Sequence, residues 1–463
     1  MKALRVARKA TKKSAIWQRL ESWLWKCFAL CQAACATWRA KYARRRSRAT
    51  FIAVTGSSAK TTTAALISHI LSGVAPVHQR VLRNVYGAHV DSLLAVPPGD
   101  GYFVGEIAAD GPGSLQPMVD LIHPSVGIVT LVALEHKSGF RTIERVAEEK
   151  GILVEGLPAN GLAILNYDDP HVVAMAERTE ARSVTFGRTG GEYVVTNIRC
   201  PAPEELNLTI TNRDQAFEIA SRLTGVHQYL TVAAAFTCAH ELGIPPAVIV
   251  ERIASFPPVF GRCSVHRVKD GPVFIVDVAK APYHSVRLAF DMLAKFSAPR
   301  KRIVLAHISD ASGSDRVYRD TYRAARSVAD QVIFIGEHSH RSKATPEEIA
   351  DGRFVRFENL QDLADFLQES AIPDEIVLLK SSVKMHLERL MLNFFTPVRC
   401  WALACSRQDT CVPLFDTGCG LYEAPYERHK SLRKGVIYPL PPVHFGESGV
   451  ASAHPKNAGD RPL

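Results

Sequence analysis

Residues 49–71 read ATFIAVTGSSAKTTTAALISHIL. Residues 51–54 form a short continuous apolar run, the pattern of a strand buried on both faces. Residues 56–59 (GSSA) are a turn of small residues, and from Lys60 the apolar positions Ala64, Leu66, Ile67, Ile70 and Leu71 recur at helical spacing. A strand that passes through a small-residue loop into a Lys-Thr helix start is the physical form of a phosphate cradle. In that form Gly56, Ser57 and Ser58 shape the loop, and the N–H groups up to Thr62 face the phosphates. Lys60 supplies a point charge near the transferred phosphate, and Thr61 a hydroxyl for Mg²⁺. The strict GxxxxGK[ST] pattern is not met, because Val54 and Ala59 stand at its two glycines. The competing reading is an ordinary βα turn that happens to carry Ser, Thr and Lys. If the loop needs positive φ at Ala59, alanine strains it by about 1 kcal/mol or more.

Beyond Leu71 the chain alternates strand and helix. Residues 102–107 are apolar up to Glu106; residues 127–134 form another buried pattern, with Glu135 and His136 after it; residues 163–166 lead into Asp168 and Asp169. Helical stretches such as TIERVAEEKGILVEGL lie between them. This is βαβ alternation, so a mostly parallel sheet is expected, with ligands beyond the C-terminal ends of its strands. Lys60, Thr61, Glu106, His136 and Asp168 all come after strands and can converge there on a nucleotide–Mg²⁺ site. Residues 190–223 read as β-rich, and GVHQYLTVAAAFTCAHELGI as a long helix. FPPVFGR then breaks the pattern, and a second α/β region begins, with strands ending near Asp277 and Asp310 and further strands at DQVIFIG and EIVLLK. The expected organisation is a basic amphipathic arm (1–50), a central nucleotide-binding domain (51–259), a smaller Rossmann-like α/β domain (260–395) and an irregular tail rich in Cys, Pro and Gly (396–463).

Charge is uneven. The first fifty residues hold fourteen Lys/Arg and one acidic residue, Glu21, so the chain's net +10 leaves the other 413 residues at −3. A nearly neutral body argues against nucleic acid as partner and assigns the basicity to the arm. Within the arm Trp17, Leu20, Trp23, Leu24, Cys27, Phe28, Cys31 and Cys35 make an apolar stripe interrupted by Lys26, and residues 28–38 are too short to span a bilayer. The helix either lies on an anionic membrane face or packs its stripe on the protein or a second subunit. The cysteines contain no CxxC pair; Cys400, Cys405, Cys411 and Cys419 are spaced too widely for an ordinary structural zinc site, so reduced cytoplasmic thiols are expected.

Taken in order, residues 51–390 resemble the Mur ligase family of ATP-dependent, amide-forming ligases. The family's TGSxGKTTT appears as TGSSAKTTT, residues 55–63, and its strand-ending glutamate as Glu106 in VGEIAADGPG. TLVALEHKSGF aligns His136 with a metal-site histidine, and AEEKGIL aligns Lys150 with the lysine that is carbamylated to hold a second metal. NYDDP carries Asp168 and Asp169, GVHQYLTVAAA keeps His227, FGR at 260–262 carries the hinge Arg262, DVAKAPYHS keeps Asp277, and LLKSS keeps Lys380. The resemblance implies ATP and Mg²⁺, with a first Mg²⁺ on Thr61 and Glu106 and a second near His136 and Lys150. It also implies catalytic work by Lys60, His136, Lys150 and Arg262, and nucleotide contacts by the loop, His227, Arg262 and Asp277.

The implied reaction phosphorylates a carboxylate with ATP and lets an amine displace phosphate. Departures from the family pattern stand at Ala59, Leu131, Gln228, Thr231 and Lys280. They keep two alternatives open, a catalytically weakened binding or scaffold protein and an ATPase or kinase that does not ligate. The wall-synthesis ligases carry a substrate-binding domain before the loop, whereas about fifty residues precede it here. This puts a UDP-muramoyl acceptor in doubt and opens the reading of another carboxylate, in a cytoplasmic enzyme that sits at the inner face of the membrane if the arm lies on lipid.

Overall fold

A computed structural model describes residues 15–82, 84–134, 137–309, 314–402 and 411. Two sheets organise them. The first has nine strands in the order β2-β3-β1-β4-β5-β6-β7-β8-β9. These are β1 (Thr50–Thr55), β2 (Val77–Arg80), β3 (Tyr102–Glu106), β4 (Val126–Val129), β5 (Leu162–Asn166), β6 (Arg182–Gly187), β7 (Tyr193–Arg199), β8 (Leu206–Asn212) and β9 (Gln215–Ser221). Pairing is parallel from β2 to β7 and antiparallel from β7 to β9. The second sheet runs β10 (Ser264–Arg267), β11 (Val273–Asp277), β15 (Ile376–Lys380), β12 (Lys301–Leu305), β13 (Gln331–Ile335), β14 (Phe354–Phe357), parallel except at β10–β11. The expected architecture, a mostly parallel α/β sheet and then a smaller α/β unit, is the one observed.

The apolar run of β1 is buried on both faces because helices cover both. Ile52 and Val54 join a core with Leu66, Ile67 and Ile70 of the helix Lys60–Leu71; Phe51 and Ala53 join one with Val119 and Ile122 on the other side. Each such large apolar side chain contributes roughly 1.5–3 kcal/mol on burial. The helix Tyr229–Glu241 packs in the first of these cores with Val232 to Phe236 fully buried, and its three consecutive alanines admit close approach.

Two strands end earlier than the apolar pattern predicts. β4 stops at Val129 because, after Thr130 N–H has donated to Thr55 O at the end of β1, the next backbone groups serve loops: Leu131 O accepts from Ser57 N–H and Val132 N–H donates to Asp169. β12 stops at Leu305, and Asp310 lies outside the described residues.

The arm helix spans Ala15–Arg46. Its C-terminal end is fixed to the body: Ala40 is fully buried, and Arg44 donates to the Ile122 and His123 carbonyls at 2.6 and 2.7 Å and lies 3.6 Å over the Phe51 ring. At about 100° per residue, Ala36, Ala40 and Arg44 define one face, Cys27, Phe28, Cys31 and Trp38 lie on the opposite one, and Trp23 lies about a quarter turn round. Trp23, Phe28 and Trp38 are 60%, 55% and 69% exposed. From Trp23 to Cys35 the stripe is exposed except at half-buried Cys27, and Trp38 beyond it is exposed too; the side chains of Trp17 and Leu20 are outside the described residues. Among the described residues no helix is long and apolar enough to cross a membrane. Most of the tail, including Cys405 and Cys419, is also outside them.

Candidate functional site

The strand order of the first sheet places β1 between β3 and β4, so the chain leaving β1 opens at the crevice where connections diverge to either side. A cleft of 540 Å³ lies there and is closed on its far side by the second sheet. Its size falls in the range of roughly 300–1,000 Å³ usual for small-molecule sites.

The loop is built from the backbone outward. Gly56 has φ +143°, and a Cβ there would lie 1.9 Å from Thr130 Oγ1, so only glycine fits. Thr130 Oγ1 donates to Ser58 O at 2.7 Å, and Ser57 Oγ donates to Ala133 O at 2.9 Å. Ala59 adopts φ 64°, ψ −10°, the left-handed region that the missing glycine would favour, and Lys60 begins the helix. Lys60 is buried, with Nζ donating to Gly56 O at 2.5 Å. Thr61 is buried beside it and receives Arg262 Nη2 at 3.4 Å.

Glu106 enters from the neighbouring strand because its register partner is Val54. It is almost fully buried and accepts Leu82 N–H at 3.1 Å and Asn84 Nδ2 at 3.0 Å. Asp169 accepts Val132 N–H at 2.6 Å, tying the β4 and β5 loops together. Asp168 accepts the Arg188 and Thr189 N–H groups, the Thr189 hydroxyl, and the Tyr229 hydroxyl at 2.8 Å. Burial pushes its carboxyl up, but these donors outweigh burial and hold it below the ordinary value.

The far wall carries charge. Asp277 and Lys380 are register partners at the ends of β11 and β15, and Lys380 Nζ donates to Asp277 Oδ2 at 2.6 Å and to Lys280 O at 3.0 Å. Burial, reinforced by the Asp277 charge, pushes the Cys263 thiol well up. Burial lowers the His227 imidazole to about 4; the Asp277 charge opposes this and the Lys380 charge adds to it. His227 is therefore neutral near pH 7.

Ser57, Ser58, Lys60, Thr61, Thr62, Glu106, Asp168, His227, Arg262 and Asp277 all line this cleft. Gly56 shapes the loop behind it. Lys150 is fully buried in the helix Ile143–Glu155 and is not among the lining residues, whereas Ile143 of that helix is. His136 lies outside the described residues. Sequence reading missed Tyr229, whose hydroxyl holds Asp168 and whose ring lies 5.3 Å from the Arg188 guanidinium. The available signal was a tyrosine directly after His227 and Gln228, at the start of a helix with a run of three alanines. Asn84 was missed as well; it lies 22 residues from the glutamate it holds, and no local pattern links the two.

The Mur ligase middle domain matches residues 54–239, and the Mur ligase glutamate ligase domain matches residues 261–383. The chain belongs to the Mur ligase family. Among curated proteins, UDP-N-acetylmuramoyl-tripeptide–D-alanyl-D-alanine ligase of Mycobacterium bovis is 30% identical over 256 residues, 53% of this chain and 49% of that protein. The ligase of the same name from Escherichia coli is 26% identical over 307 residues, 65% of this chain and 68% of that protein. This chain thus spans about half the length of the mycobacterial relative. A crystal structure of MurF from Acinetobacter baumannii superposes with a TM-score of 0.69 at 21% identity, covering 78% of this chain and 80% of that one. The MurF ligase of Thermotoga maritima in complex with ADP gives 0.67 at 23%, covering 78% and 83%. These structures share the fold.

Proposed function

We propose that the protein is a cytoplasmic, ATP-dependent ligase that joins a carboxylate to an amine, an amino acid or peptide, through an acyl phosphate, releasing ADP and phosphate. The observation that carries this reading is the meeting in one cleft of the loop residues Lys60 and Thr61 with Arg262, from the turn before β10, and with Asp277 and Lys380 from the second sheet. A kinase or ATPase needs only the first group. Ligation also needs a second wall that brings the amine and shields the acyl phosphate from water.

In this reading the loop N–H groups and the helix N-terminus hold the phosphates, and Lys60 Nζ exchanges its bond to Gly56 O for a phosphate oxygen. Arg262, beside Thr61, stabilises charge as the phosphoryl group moves. His227 meets the nucleotide as a neutral ring. Asp277 and Lys380, held to each other, orient the incoming amine. The family implies Mg²⁺, and the donor set fits it. The Thr61 hydroxyl and the Glu106 carboxylate are hard oxygen donors, and each Glu106 oxygen accepts one N–H and keeps acceptor capacity. Bound there, Mg²⁺ would neutralise phosphate charge. His136 and a carbamylated Lys150 are the proposed holders of a second ion. Phosphate release, screened over carboxylate–amine pairs, tests the proposal: release should require both partners, and release with ATP alone or with one partner contradicts it.

The outward stripe of the arm helix supports a second reading, that the enzyme sits peripherally on an anionic membrane face. Trp23, Phe28 and Trp38 would enter the headgroup region while the arm's excess of Lys/Arg meets lipid phosphates. Co-sedimentation with anionic vesicles at low salt should fall when all three are changed to serine. Equal pelleting of the parent chain and the triple variant rejects it.

A further inference from the structure

The widely spaced tail cysteines have a counterpart that the spacing alone hides. Cys411 returns to the second sheet's body beside His386 and Glu388, and all three are essentially inaccessible to solvent. His386 Nδ1 lies 3.2 Å from Glu388 Oε1 and 3.5 Å from Cys411 Sγ. One ligand atom from each residue lies within 4.8 Å of the other two. With zinc bonds of about 2.0–2.1 Å to nitrogen and oxygen and about 2.3 Å to sulfur, tetrahedral edges are about 3.3 Å for N···O and about 3.6 Å for N···S. The two measured separations match those edges.

We infer that His386, Glu388 and Cys411 form a structural zinc site that fastens the tail to the second α/β unit. A mixed nitrogen, oxygen and sulfur set selects zinc over Mg²⁺ or Ca²⁺, which take oxygen ligands. The fastening is already visible in the backbone: Cys411 N–H donates to Glu388 Oε1 at 2.7 Å. Glu388 Oε1, the oxygen at that 3.2 Å separation, also accepts Cys411 N–H, while Oε2 is buried with no hydrogen-bond partner among the described residues, so the carboxylate keeps acceptor capacity for a cation. Arg389 Nε donates to Cys411 Sγ at 3.1 Å and Nη1 to Ala402 O at 2.8 Å, which orients the sulfur and binds the segment that returns it. None of the three residues lines the cleft, so this site is separate from the proposed Mg²⁺ site.

The arm carries its own thiols at four-residue spacing, Cys27, Cys31 and Cys35, so the test uses the full chain with those three changed to serine. Metal content after dialysis against zinc with excess Mg²⁺ should be one zinc per chain. Co²⁺ in its place should give a thiolate-to-cobalt charge-transfer band, and zinc should slow alkylation of Cys411 at least tenfold. Cys411→Ser and His386→Ala should each weaken zinc binding at least a hundredfold. If a variant fails to fold, the cobalt band and the alkylation protection of the parent chain decide the matter. Absence of bound zinc in the parent, or undiminished binding by a folded Cys411→Ser chain, overturns the inference.

Discussion

The two walls of the cleft hold their polar groups in different ways. The wall after β1 is made of backbone: Ser57 and Ser58 are locked by Thr130, Leu131 and Ala133, and Gly56 O accepts from Lys60, which leaves little freedom. The facing wall is made of side-chain charge, with Asp277 and Lys380 buried against each other. Backbone donors cannot be removed by substitution and suit a phosphate that is always anionic. A buried ion pair is a balanced arrangement that loses its balance when either partner goes. The first wall should therefore break sterically and the second electrostatically.

The largest effect is expected on the charged wall. Asp277→Ala leaves Lys380 buried without its carboxylate, which should destabilise the fold by about 3–5 kcal/mol; chemical denaturation measures it, and a loss near zero would mean that Lys380 finds water instead. Lowering pH should weaken the whole fold next. Burial lowers His89 and His266 to about 4, below their unfolded value of 6.5. Below pH 6.5 the unfolded chain binds more protons, so over the first pH unit, from 6.5 to 5.5, each should remove up to about 1.4 kcal/mol. Denaturation midpoints at stepped pH, with and without His266→Gln, check the slope.

On the backbone wall, Lys60→Ala should lower ATP–Mg²⁺ affinity or turnover at least tenfold, about 1.4 kcal/mol, with the fold unchanged. Equal affinity and equal turnover would remove the loop from the mechanism. The smallest effect has the opposite sign. Ala59 sits at φ 64°, so Ala59→Gly should relieve about 1 kcal/mol of strain, less the entropy glycine adds to the unfolded chain. A fall in melting temperature would show that the neighbouring bonds compensate for the alanine.

The same contrast explains what the sequence disclosed. The βα alternation, the phosphate loop and the left-handed demand at Ala59 are local consequences of side-chain size and apolar period, so they were legible. Asp277 was legible as a strand end and Lys380 through family resemblance, but not their pairing, since the strand register that makes it joins positions 103 residues apart. Tyr229 on Asp168 and Asn84 on Glu106 were not legible, because each depends on loops that meet only after the sheet forms. The early end of β4 has the same origin: residues 130–134 are apolar enough to continue a strand, but their backbone groups and the Thr130 hydroxyl are taken by the loop and by Asp169. The arm's stripe was legible as an apolar face, but its exposure depends on where the helix leaves the body: Ala40 and Arg44 dock its C-terminal end, and further up the helix Trp25, on the docked side, is exposed as well.

The most direct test of the central claim traces the carboxylate oxygen. With a carboxylate–amine pair that supports phosphate release, substrate labelled with ¹⁸O in its carboxylate should pass one labelled oxygen to the released phosphate, because the acyl phosphate breaks at its C–O bond when the amine attacks. Labelled phosphate formed together with the amide is the result this account predicts; unlabelled phosphate, from direct hydrolysis of ATP by water, contradicts it.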